Sequence, residues 1–281
     1  MVDFSSGRCP ICGATDDDFM PHGRHRGQFA TLSTYSAIVA RLQWDATAID
    51  LTADARAWAQ LPAERRALMT TLLASFCIAE EAVSEHIEPF AGATDDTLLA
   101  WVLFLQRRDE SRHALLFDRI AAEVLGLPGE TAADRRAAAR AHVPAPVLEL
   151  FEQTLPDLAA DVASGDADLR QGISLYHMLL EGVVFTAGQR ALLAELEDGA
   201  LPGIRDGVTR VDLDERWHIG LGLRHLSQAR PSAEQVGALL ARAETIAEVW
   251  GDAVPAATKR YAVTMCHRRM SVAGLLRDAA A

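Results

Sequence analysis

From about residue 30 onward, apolar residues recur at three- and four-residue spacing in stretches rich in Ala, Leu, Arg and Glu, and no segment alternates as a strand would. The pattern predicts an all-α domain over residues 28–281. Turn and breaker residues punctuate it at Leu61-Pro62, Pro89 to Asp95, Gly126 to Gly129, Val143 to Pro146, Ser164 to Asp168, Gly199 to Gly203, Arg230-Pro231 and Val254-Pro255, with long helices between them. Residues 1–27 are different. They are rich in Gly, Asp, Arg and His, poor in apolar residues, and predicted to be an extension outside the core.

The predicted helices carry one ligand-type pattern twice: Glu80 followed by Glu110-Ser-Arg-His113, then Glu181 followed by Glu215-Arg-Trp-His218. Residues three apart share a helix face, so four facing helices would converge four carboxylates and two imidazoles on a point. The carboxylates carry about four negative charges, which two divalent cations cancel and which a core could not otherwise hold. Mixed oxygen and nitrogen donors favour iron or manganese over the thiolate-rich sites of structural zinc.

Helix arithmetic tests the convergence. Glu80 lies about 13 residues before the turn near Ala93 and Glu110 about 15 after Asp95, so antiparallel neighbours bring them level. Glu181 is about 19 residues before the turn near Ala200 and Glu215 about 13 after Pro202, an offset of roughly 9 Å. Gly182 and Gly188 suggest a local bulge or unwinding to absorb it. A single Glu-x-x-His is ordinarily a solvated face or a local ion pair; the doubling is what points to metal. Glu81 reads as an outer or surface carboxylate, His86 and His225 as surface or packing residues, and His177 as a group that hydrogen-bonds a ligand or lines a cavity.

About half of the 281 residues are apolar, enough for one large core. No apolar run reaches the roughly 18 residues needed to span a bilayer and no signal-peptide plan opens the chain, so a cytoplasmic protein without a membrane partner is expected. A net charge of −12 speaks against nucleic acid as a partner. Four cysteines do not make a disulfide framework in a chain of this size. Cys9-Pro-Ile-Cys12-Gly is shaped like a zinc knuckle that His22 and His25 could complete, although their two-residue separation is short; a flexible tail or a redox-active pair is the alternative.

Over roughly residues 42–225 the chain resembles the radical-generating small subunits of class I ribonucleotide reductase and their oxidase relatives. The likeness rests on Trp44-Asp45-Ala46-Thr47-Ala48-Ile49-Asp50-Leu51, Trp58-Ala59-Gln60-Leu61 and the six ligand-type positions. Ala79-Glu80-Glu81-Ala82-Val83 and Tyr176-His177-Met178-Leu179-Leu180-Glu181-Gly182 are similar to the ligand-binding oxidase branch. The resemblance implies a ferritin-like helical bundle holding a Mn/Fe or Fe/Fe centre on Glu80, Glu110, His113, Glu181, Glu215 and His218. It also implies an ether cross-link between Tyr176 and Val83, a hydrogen-bonded chain Trp44–Asp214–His113 from surface to metal, a homodimer, and an oxidase using O2, an electron donor and a small, apolar or fatty-acid-like substrate. On an ideal helix Tyr176, five residues before Glu181, points about 140° away from it.

Two departures bear on the alternatives. Phe117 stands four after His113, where radical-generating subunits carry tyrosine, and the tail Arg277-Asp278-Ala279-Ala280-Ala281 lacks a tyrosine-bearing segment. Both speak against a radical-generating reductase subunit, which is the runner-up reading. The long irregular connections and the two-half-site ligand set argue against a ferritin-like store, and a biosynthetic di-iron oxygenase acting on an amine or amino acid is the other alternative.

Overall fold

The computed structural model describes residues 29–276, all of whose regular elements are helical. Cys9, Cys12, His22 and His25 lie outside the described residues, as does the tail beyond Leu276.

Four long helical runs carry the ligand-type residues. Glu80 lies on α3 (Ala63–His86) and Glu110 and His113 on α5 (Thr97–Glu123). Glu181 lies on a continuous run made of α9 (Leu169–Ile173), a π-helical segment (Ser174–Phe185) and α10 (Thr186–Glu195), and Glu215 and His218 on α11 (Pro202–Ala229). Around them are α1 (Leu32–Arg41), α2 (Thr52–Trp58), α4 (Glu88–Gly92), α6 (Ala132–Ala139), α7 (Ala145–Glu149), α8 (Leu155–Ser164), α12 (Ala233–Ile246) and α13 (Ala256–Val272). One apolar core runs from Ala30 to Ala273.

Local chemistry sets where the long helices begin. Asp96 caps α5, accepting from the Leu98 and Leu99 amides at 3.0 and 3.1 Å. The buried Asp54 on α2 does the same for α11 from a distance in sequence, accepting from the Gly203 and Ile204 amides at 2.9 and 2.8 Å. A carboxylate there also suits the positive end of the helix dipole. Gly203 is required at that junction, because a Cβ would stand 2.3 Å from the Asp50 carbonyl oxygen.

The spacing argument needs one correction. The run carrying Glu181 ends at Glu195, not near Ala200, so Glu181 is 14 residues from its end and Glu215 is 13 from the start of α11. The two are nearly level without any bulge. An unwound segment is present all the same, and it is longer than the two glycines suggested: twelve residues of π-helix, with Gly182 inside and Gly188 beyond. Gly188 serves packing instead, since a Cβ there would lie 2.4 Å from the Trp250 ring.

One local and two tertiary side-chain donors satisfy carbonyls of the π segment. Thr186 Oγ1 donates to the Glu181 carbonyl at 2.9 Å, Arg269 Nη1 to that of Gly182 at 3.0 Å, and Trp250 Nε1 to that of Val184 at 2.9 Å. Carbonyls that the wider turn redirects are thereby satisfied rather than buried unpaired.

The expectation that no segment is apolar enough to span a bilayer is also corrected. The continuous stretch Ala63–Gly92 has the length and composition to do so. Its apolar window is 67% buried against the other helices, and it carries Glu80 into the interior, so its hydrophobicity belongs to the core.

Candidate metal centre

Glu80, Glu110, His113, Glu181, Glu215 and His218 meet in the middle of the bundle, each at most 3% exposed. His113 Nδ1 lies 3.5 Å from Glu80 Oε2, 3.3 Å from Glu110 Oε2 and 3.6 Å from Glu215 Oε1. His218 Nδ1 lies 3.2 Å from Glu110 Oε1, 3.2 Å from Glu181 Oε1 and 3.3 Å from Glu215 Oε2. The cluster is therefore two subsites, each with its own histidine and terminal glutamate, and Glu110 and Glu215 offer one oxygen to each.

The donor set fits two cations. Both oxygens of Glu80, one each of Glu110, Glu181 and Glu215, and His113 Nδ1 have no hydrogen-bond partner although buried. Such groups are costly in a core unless something occupies them. Without metal the charge is relieved by protons. Burial, with some help from neighbouring carboxylates, pushes Glu80 up to about 7 and Glu215 to about 8, and raises Glu181 well above the ordinary range. Burial opposes the charged form of both histidines. Asp214, Glu110 and Glu80 outweigh it at His113, and Glu110 and Glu181 at His218, so both are raised well above their usual value.

The outer nitrogens of the histidines face aspartates crosswise, His113 within hydrogen-bond distance and His218 beyond it. His113 on α5 donates from Nε2 to Asp214 on α11 at 3.1 Å, while His218 on α11 faces Asp109 on α5, with Nε2 3.8 Å from Oδ2. Each aspartate also accepts from an indole, Asp214 from Trp44 at 2.8 Å and Asp109 from Trp217 at 3.3 Å. Arg112 links them, with Nη2 2.8 Å from both Asp109 and Asp214 and its guanidinium 4.8 Å from the Trp44 ring centre. Imidazoles oriented in this way by carboxylates present the opposite nitrogen to a metal in a fixed tautomer. Trp44 is half-buried and stacks on His113 at 6.1 Å, so the chain Trp44–Asp214–His113 runs from the protein edge to the cluster. Trp217 is fully buried and offers no second route.

Asp109, Arg112 and Gln106 were missed in the sequence. Gln106, one turn before Glu110, donates to Glu181 at 2.9 Å and to Glu110 at 3.2 Å, and accepts from His177 Nε2 at 2.9 Å. His177 is held well below its usual value by burial and by the charges of His218 and His225, so it is the neutral donor in this bond. A signal for Asp109 was present: both motifs read Asp-Glu-x-x-His, and only the second aspartate was taken up.

Tyr176 is fully buried beside the cluster, and burial together with Glu110, Glu181 and Glu215 raises its phenol well above the ordinary value. The wider turn explains why it faces them, since at about 4.4 residues per turn residues five apart differ by about 50° instead of the roughly 140° of an α-helix. Val83 is fully buried one turn beyond Glu80. Phe117 stacks on Phe76 at 5.2 Å. Glu81 pairs with Arg136, away from the cluster. His86 Nδ1 bonds the Ala82 carbonyl at 2.8 Å and His225 is half-buried, so neither belongs to the site.

Asp109→Asn keeps the size of the side chain and removes the charge facing His218. Metal affinity should fall by about 10- to 100-fold at the His218 subsite, and Asp214→Asn should do the same at the His113 subsite. Metal titration followed by spectroscopy of each half reads the difference; equal loss at both subsites in each variant would contradict the crosswise assignment.

No family model matches the chain. Among solved structures it is similar to an R2-like ligand-binding oxidase variant with anaerobically reconstituted Mn/Fe cofactor, at 21% identity over 86% of this chain and 93% of that chain, with a TM-score of 0.71. A variant with aerobically reconstituted Mn/Fe cofactor gives 20% identity over the same shares and a TM-score of 0.69. Another with an Fe/Fe cofactor gives 22% identity over 87% of this chain and 84% of that chain, with a TM-score of 0.66. The chain thus shares the all-helical bundle fold of these R2-like ligand-binding oxidase structures.

Proposed function

We propose that the protein is an O2-activating oxidase with a Mn/Fe or Fe/Fe centre held by Glu80, Glu110, His113, Glu181, Glu215 and His218. The observation that carries this reading is the pair of buried subsites sharing Glu110 and Glu215, with both oxygens of Glu80 and one each of Glu110, Glu181 and Glu215 left without a hydrogen-bond partner. When bound, the two metals would supply the redox chemistry that reduces O2 and oxidises a nearby C–H bond. The chain supplies the rest. Glu110 and Glu215 span both subsites and can shift their oxygens between them as charge changes. Asp214 holds the His113 imidazole, and Asp109 faces that of His218. The helix core around the cluster leaves none of its six residues more than 3% exposed.

Trp44, half-buried and hydrogen-bonded to Asp214, is the entry for electrons from a donor protein or small reductant. Tyr176 and Val83 are the pair for the ether cross-link: the phenol O–H and a valine C–H are lost, an O–C bond forms, and the two electrons go to O2. A homodimer belongs to this reading, supported by Leu98, Trp101, Phe104 and Leu115 exposed along one stripe of α5. So does a cytoplasmic location, in keeping with the free, buried thiols of Cys77 and Cys266. Phe117 packed on Phe76 supports this reading over a reductase subunit, because no oxidisable phenol stands at that position.

Metal analysis and intact mass on one sample of full-length protein, produced with both metals and exposed to air, test it. Two transition-metal ions per chain and a mass short by two hydrogens are expected, the deficit disappearing in Tyr176→Phe. Folded protein that binds neither iron nor manganese would overturn the reading, and full loading without the deficit would remove the cross-link alone.

A further inference from the structure

A cavity of about 650 Å³ lies between α10, α11 and α13, with Glu215 in its wall. Exposed residues such as Tyr261 form its outer rim, and Glu215 is the most exposed of the six cluster residues, so the cavity joins the protein surface to the candidate metal centre. Its size suits a small organic ligand.

The lining is not what an alkyl chain needs. Arg190, Arg205, Arg216 and Arg269 all contribute, against Glu197, Asp212 and Glu215. Arg216 is already paired with Asp212 at 2.6 Å. Arg190 is held over the Tyr261 ring at 4.1 Å, and Arg269, only 4% exposed, is fixed to the Gly182 carbonyl. Gln189 is 1% exposed and its Nε2 has no hydrogen-bond partner, which leaves a buried donor in the wall of the cavity. A long apolar chain laid here would desolvate the guanidinium groups and leave that donor unpaired. In a chain of net charge −12, a pocket with surplus positive charge attracts an anion that the rest of the surface repels.

We propose that this cavity is the substrate pocket of the metal centre and that the substrate is a small, polar molecule bearing a carboxylate. Arg190, Arg205 and Gln189 grip the carboxylate, and the other end lies toward Glu215. Planar guanidinium groups and an amide donor match a carboxylate's two oxygens. The inference rests on the oxidase reading and departs from the apolar, fatty-acid-like substrate that the resemblance implies. It favours an amino acid or other polar acid over a simple amine.

Calorimetric titration of the metal-loaded, full-length protein with glutarate, inorganic phosphate and myristate tests it, with metal content measured on every sample. Glutarate should bind best, weakening at least about tenfold in the Arg190→Gln/Arg205→Gln double variant and in Gln189→Leu, with metal content and melting temperature unchanged. Absent glutarate binding, a dissociation constant unmoved by those variants, or tighter binding of myristate or phosphate would overturn the proposal. Full metal loading without glutarate binding removes the pocket and keeps the oxidase reading. Arginine-dependent glutarate binding by a chain that takes up no metal keeps the pocket and removes the oxidase reading.

Discussion

Replacing Glu110 by alanine should empty both subsites together, whereas Glu80→Ala should empty only one. Glu110 reaches His113 Nδ1 with one oxygen at 3.3 Å and His218 Nδ1 with the other at 3.2 Å. Glu80 contacts His113 alone among the two histidines, at 3.5 Å. Losing an outer partner of a metal ligand already costs about 10- to 100-fold in affinity or activity. Loss of a shared carboxylate should exceed that, leaving Glu110→Ala with essentially no bound metal and O2 consumption more than about a hundredfold lower. Glu80→Ala should keep one metal, on the His218 side. Metal content per chain separates these outcomes directly, and a Glu110→Ala protein that holds a full pair would show that the carboxylate does not bridge.

Chelating the metal should lower the melting temperature by at least about 10 °C, because ligands bound far below their working concentration stabilise by several kcal/mol, and each kcal/mol is worth about 2–4 °C at this size. The metal-free form should also become less stable as pH rises. Glu80 and Glu215, at about 7 and 8 in the folded chain, keep protons between roughly pH 4.5 and 8 that their unfolded counterparts have released. The native state binds more protons over that window, so stability is highest at its acid end and is lost as pH climbs through the folded values. His113 and His218 act in the same direction: raised above 6.5, they contribute stability that is complete below that pH and fades above it. Asp109 and Glu110 are lowered in spite of burial, because His218 and other cationic neighbours favour their charged forms, and they reverse the trend only where pH falls below ordinary carboxylate values. Metal displaces these protons, so the loaded protein should show little of this slope. Thermal melts from pH 5 to 8 with and without chelator check both claims; a metal-free protein that gains stability toward pH 8 would contradict the buried, proton-sharing cluster.

Much of the site was legible because a helix makes sequence spacing into geometry. Two Glu-x-x-His pairs, each preceded by a glutamate on an apolar helix, needed only antiparallel neighbours of similar length to converge, and the breaks at Pro89 to Asp95 and Gly199 to Gly203 supply them. What failed was arithmetic that depended on where one helix stops. Glu195 ends its run five residues before Ala200, which removes the offset that a bulge was meant to absorb. The expectation of unwinding near Gly182 has a counterpart in the π segment, but the reason offered for it does not hold.

The side chains around the cluster were less legible. Asp109 and Arg112 look like ordinary charged residues on a helix until α11 is set beside α5. Only then do Asp109 face His218, Asp214 face His113, and Arg112 span the two aspartates. Gln106 follows the same rule, since its partners Glu181 and His177 lie more than seventy residues away.

The chain's own pattern of residues was enough to set the all-helical class, the doubled carboxylate and imidazole set, and the need for a neutralising pair of cations, because these follow from periodicity, spacing and charge within single helices. The π-helical turn that aims Tyr176 at the cluster, the crosswise aspartates and the arginine-lined cavity reaching Glu215 came from the packed bundle. Each requires groups from helices distant in sequence, Arg269 and Trp250 on the π-segment carbonyls and α10, α11 and α13 around the cavity. A linear pattern states which face a residue occupies, but the relative rotation and level of the helices determine what stands opposite.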